Sequence, residues 1–66
     1  MNTYKFVRDS IYSLSIQKGA SHRSATNAAD SGFEMYKQNK FDKAKKLIDE
    51  KVKEAVKQTK MEGTLL

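Results

Sequence analysis

The sequence predicts a small all-α fold: one domain over residues 1–66 with three helices, the last two forming an antiparallel hairpin. Three observations point there. The chain has no proline and only three glycines, so little interrupts long helices. The turn residues that a many-stranded sheet needs about every 8–12 positions are correspondingly scarce. Apolar side chains recur at spacings of three and four through three segments, the period of a helix face. Charged residues make up 32% of the chain and hydrophobic ones 38%, which suits amphipathic helices around a thin core.

Size limits what holds such a fold together. A domain of about this length buries only about 60% of the surface its unfolded chain exposes. With no cysteine there is neither a disulfide nor a thiolate metal site, and the single His22 rules out a histidine cluster. Stability must come from well-made helices, from self-association or from a partner.

The first helix is expected over about residues 3–18. Tyr4, Val7, Ile11 and Leu14 make one stripe, with Phe6 off it and Tyr12 and Ile16 adding a second apolar edge. Asn2 or Thr3 can cap its start, and Gly19 is a natural stop after Lys18. Ser10, Ser13 and Ser15 are poor interior residues because their hydroxyls compete for the backbone.

The second helix is expected over about residues 22–38, with Ser21 or Ser24 as its N-cap. Ala25, Ala28 or Ala29, Gly32 and Tyr36 form its inner stripe, while Phe33 and Met35 point elsewhere. Glycine inside a helix costs about 1 kcal/mol relative to alanine, so Gly32 implies close approach by another backbone.

The third helix has the plainest pattern, over about residues 41–61. Phe41, Ala44, Ile48, Val52 and Ala55 repeat at three and four, flanked by Leu47 and Val56. Asp42–Lys46, Lys45–Asp49, Lys46–Glu50 and Asp49–Lys53 offer four-apart opposite charges, each contributing a few tenths of a kcal/mol. Gly63 is a plausible terminator, and Asn39-Lys40 makes a corner short enough to force the hairpin.

The run Gly32-Phe33-Glu34-Met35-Tyr36-Lys37-Gln38-Asn39-Lys40-Phe41-Asp42-Lys43-Ala44 resembles the centre of a tetratricopeptide repeat, and the likeness extends over residues 28–56. A small residue on one helix is followed by an aromatic, a polar turn, an aromatic-acidic pair and an alanine. The chain departs from the pattern at Asn39, where the family usually has glycine, and at Lys51, where it has a small residue. No proline follows the hairpin. The three-helix microtubule-interacting-and-transport type of domain looks similar over the same stretch. One repeat cannot bury its own apolar face, so the resemblance implies that the first helix caps the hairpin and that a dimer or partner covers the remainder. It also implies a ligand-facing side on the second helix. Thr26, Ala29, Phe33 and Lys37 would lie there with Tyr36 at the edge, Phe33 being the anchor.

No catalytic constellation stands out. Ser21, His22 and Ser24 are neighbours in sequence without a triad partner, and capping explains the serines better. The glycines are isolated, so there is no phosphate-cradling loop. No cofactor, metal or small-molecule substrate is implied.

Charge is more informative. The chain carries a formal +5 and a pI near 9.6. From Lys37 to Lys60 there are nine lysines against four acids, which accounts for the whole net charge. Lys43, Lys46, Lys53, Lys57 and Lys60 fall on one side of the third helix, opposite its apolar stripe, with Glu50 interrupting them. Such a row can neutralise phosphates, but it has no arginine and no interleaved aromatic for reading or stacking bases.

These features lead to a small non-catalytic adaptor or regulatory protein that binds a protein partner, or a second copy of itself, through a helical face. Its contact residues would be Phe33, Tyr36, Lys37 and Lys40. The alternative is a small basic nucleic-acid-binding regulator using the lysine side of the third helix. A helix-turn-helix over residues 16–38 is a weaker version of it, because the second helix is alanine-rich and carries only Arg23 at its start. A soluble cytoplasmic protein is expected. No apolar run approaches the roughly 18 residues of a membrane span, and the start lacks the apolar core of a signal peptide.

Overall fold

The computed structural model describes residues 3–39 and 44–64, and among them the fold is three helices with no strand. They are α1 (Thr3–Gln17), α2 (His22–Asn39) and α3 (Ala44–Thr64). The expected Asn39-Lys40 corner and Phe41 lie at or beyond the edge of the described residues. The helix starting at Ala44 continues through Gly63, so that glycine is not the terminator expected from the sequence. Three positions beyond the expected end are helical: no proline intervenes, and Thr59 and Glu62 are hydrogen-bonded to the start of α2.

Gly19 stops α1 as expected, the helix itself ending at Gln17, one residue before the anticipated Lys18. It has φ +96°, the left-handed conformation that a side chain disfavours. The Ala20 amide reaches back to the Ser15 carbonyl at 2.9 Å and the Gly19 amide to Ile16 at 3.0 Å. This six-to-one and five-to-two pair is a Schellman cap. Two residues later Ser21 caps α2, its hydroxyl accepting the Ser24 amide at 3.1 Å. Ser24, the other expected cap, is thus the third residue into the helix.

Side-chain contacts fix the directions. Arg8 pairs with Asp30 and Tyr12 meets His22, so α1 and α2 are antiparallel. Ser21 bonds Thr59 and Ser31 bonds Lys51, so α2 and α3 are antiparallel too. The middle helix therefore packs against both neighbours, and α1 also touches α3.

The core consists of Val7, Ile11, Ala20, Ala25, Ala28, Ala29, Leu47, Ile48, Val52 and Ala55. Half of these are alanine, so burial of the five larger aliphatic side chains, worth about 1.5–3 kcal/mol each, supplies most of the hydrophobic stabilisation. On α1 the buried line is Val7, Ile11 and Ser15, while Tyr4 is 39% exposed and Leu14 only half-buried. The expected Tyr4-to-Leu14 stripe is therefore rotated by a few tens of degrees, and it draws a serine into the core. A Cβ on Gly32 would run into Ile11 Cδ1 of α1 and lie 3.2 Å from Lys51 Cγ of α3. The space this glycine leaves is taken by side chains, Ile11 of α1 above all, rather than by the neighbouring backbone expected from the sequence. Ala44 is half-buried against the core.

Candidate functional site

The side of α2 read from sequence as open is the side on which α1 packs. Ala29 is 2% exposed, and Phe33 and Tyr36 are half-buried. Both rings meet Tyr4 edge-on, Phe33 at a centroid distance of 6.1 Å and Tyr36 at 5.6 Å. Such edge-to-face pairs add roughly 0.5–1.5 kcal/mol beyond the area they bury. The three rings tie the start of α1 to the end of α2.

The cluster is not sealed. Phe33 opens onto a shallow hollow of about 400 Å³ that it shares with Lys5, Arg8, Asp30 and Glu34. Lys37 Nζ stands 6.0 Å from the centroid of the Phe33 ring, at the outer limit of a cation–π contact. Arg8 Nε donates to Asp30 Oδ1 at 2.9 Å across the hollow, but both side chains are about half exposed, so the pair adds at most about 1 kcal/mol. The structure thus brings Phe33, Tyr36 and Lys37 onto one edge and adds Tyr4, which sequence reasoning had spent on the inner stripe. Lys40 lies outside the described residues. So does Lys43; Lys46, Lys53, Lys57 and Lys60 are all exposed on α3.

Two polar arrangements escaped the sequence reading. At the start of α2, the Ser21 hydroxyl donates to Glu62 Oε2 at 2.9 Å and the Ser24 hydroxyl to Glu62 Oε1 at 3.1 Å. The Ser21 amide donates to Thr59 Oγ1 at 2.8 Å, and the Thr59 hydroxyl donates to the Ala55 carbonyl. A carboxylate from the end of α3 therefore sits at the positive end of α2, where a helix favours an anion. The second is Lys51, which is 7% exposed. Its Nζ donates to Ser31 Oγ at 3.0 Å and pairs with Glu54 at 3.1 Å. Its position three and four residues after Ile48 and Leu47, and four before Ala55, was a legible signal for the buried arc. The ion pairs seen among the described residues include this three-apart pair and Arg8–Asp30, whereas the expected four-apart pairs Lys45–Asp49, Lys46–Glu50 and Asp49–Lys53 are not among them, and Asp42 lies outside the described residues.

His22 sits in the first turn of α2, its Nδ1 sharing a hydrogen bond of 2.8 Å with the Tyr12 hydroxyl. The neighbouring serine hydroxyls are engaged with Glu62 rather than with the imidazole. Among the described residues no group of three histidine, aspartate or glutamate side chains is placed to hold a metal, and no helix is long and apolar enough to cross a membrane. Comparison of the chain with protein-family models, curated proteins and solved structures finds no match.

Proposed function

We propose that this chain is a small non-catalytic adaptor or regulatory protein of the cytoplasm that binds a protein partner through the edge bearing Tyr4, Phe33, Tyr36 and Lys37. The observation that supports this is the partly open aromatic cluster. Tyr4 meeting both Phe33 and Tyr36 edge-on, flanked by a lysine and by Arg8 and Asp30, combines an apolar centre with a charged rim. Protein interfaces are built that way, with aromatic anchors surrounded by polar groups. The tetratricopeptide-like run from Gly32 to Ala44 agrees with it, since it contains Phe33, Tyr36 and Lys37.

The test is capture from source-cell lysate by the tagged full chain, with and without nuclease, beside Phe33→Ala. A protein that stays bound after nuclease and raised salt, and is released by Phe33→Ala at unchanged helical content, is the expected result. Capture that disappears with nuclease, or is indifferent to Phe33→Ala, overturns the reading.

A further inference from the structure

We infer that the outer face of α3 is a second, independent surface that binds the phosphate backbone of duplex nucleic acid without regard to base sequence. Lys46, Lys53 and Lys57 are all exposed. At 3.6 residues per turn, the seven-residue step from Lys46 falls about 20° short of two turns, and the next four-residue step passes one turn by about 40°. The three ammonium groups therefore lie within an arc of about 40° on a straight helix. At 1.5 Å per residue they span about 16 Å, with steps of about 10 and 6 Å. Lys60 continues the row at its far end. A row of this pitch suits a duplex, which offers one charge per about 1.7 Å of axis.

The chemistry of the row selects the partner. Its neighbours on the same face are Asp49 and Glu50, also exposed, so it offers no apolar patch around which a protein interface could form. The apolar side of α3, with Leu47, Ile48 and Val52, is spent on the core; Met61 is exposed beside the far end of the row, but a single side chain is not an apolar face that could insert into a lipid surface. Lysine is a point charge without the planar fork that reads guanine, and no aromatic lies in the row to stack a base. Regular, dense, sequence-independent negative charge is what such a surface recognises. The inference stands apart from the Phe33 edge, which belongs to α1 and α2.

The experiment is fluorescence anisotropy with a labelled duplex of mixed sequence, titrated with the full chain from low to moderate salt. Three lysines give a slope of log K against log salt of about −2.7, so affinity should fall about 40-fold when salt rises fourfold. The variant Lys46→Gln/Lys53→Gln/Lys57→Gln should abolish most of that slope while keeping its helical circular dichroism. A control lowering the net charge by the same three units at exposed positions of α1 and α2, Ser13→Asp/Arg23→Gln/Asn27→Asp, should bind like the parent, and A·T-rich and G·C-rich duplexes should bind alike. Equal loss in the control would reduce the effect to net charge and overturn the assignment. So would binding to phosphatidylserine vesicles but not to the duplex, or no saturable binding at all.

Discussion

The hydroxyl of Ser15 lies fully buried with no hydrogen-bond partner among the described residues. An unpaired buried hydroxyl costs about 1–3 kcal/mol, and serine is also a poorer helix former than alanine. Ser15→Ala should therefore stabilise the fold by about 1 kcal/mol in urea unfolding followed by circular dichroism. In a domain this small that shift corresponds to about 4–8 °C in Tm. Gly32 makes the opposite case. Alanine there gains helix propensity of about 1 kcal/mol, but its methyl group must displace Ile11 Cδ1, and Ile11 is fully buried. Overpacking of a core costs about 1–3 kcal/mol, so Gly32→Ala should be net destabilising by about 1 kcal/mol. Ile11→Val removes the obstructing atom. A double-mutant cycle should show the pair less harmful together than the sum of the two singles. Simple additivity would mean that the two residues do not touch.

At the scale of elements, the clasp of Ser21, Ser24, Thr59 and Glu62 sets the register of α2 against α3. Glu62→Ala leaves two hydroxyls without their acceptor, one of them on buried Ser24, and removes an anion from the positive end of α2. A loss of about 1–2 kcal/mol is expected. Hydrogen exchange should locate it in the first turn of α2 and the last turns of α3; loss spread evenly over the chain would speak against a local clasp. The three helices themselves were legible in sequence, because the spacing of Ile48, Val52 and Ala55 and the stop at Gly19 are local signals. The clasp was not, since nothing local tells Glu62 that a helix start forty residues away will stand beside it. Lys51 lay between these cases: its spacing put it on the buried arc, but its charge argued for solvent. Its long stem covers apolar surface while the ammonium finds Ser31 and Glu54.

On the scale of the whole molecule, the aromatic edge and the lysine row belong to different helices. Variants of either can therefore be compared without confusing their effects. The reading of the edge was only half available beforehand. Periodicity placed Phe33, Tyr36 and Lys37 near one another, but which flank of α2 receives α1 depends on packing that no single helix encodes. The rotation of α1 that buries Ser15 and leaves Tyr4 partly exposed settles that choice.

The corner Lys18–Ser21 closes α1 with a Schellman cap and opens α2 with a serine cap, so two helix ends are satisfied within four residues. Such a short link makes the search for the first helix pairing brief, because little chain entropy is lost in closing it. Refolding is expected in the microsecond-to-millisecond range typical of helical bundles with nearby contacts. Gly19→Ala, which strains the corner at its positive φ, should slow that step more than it speeds unfolding, a difference that stopped-flow or temperature-jump chevrons would reveal.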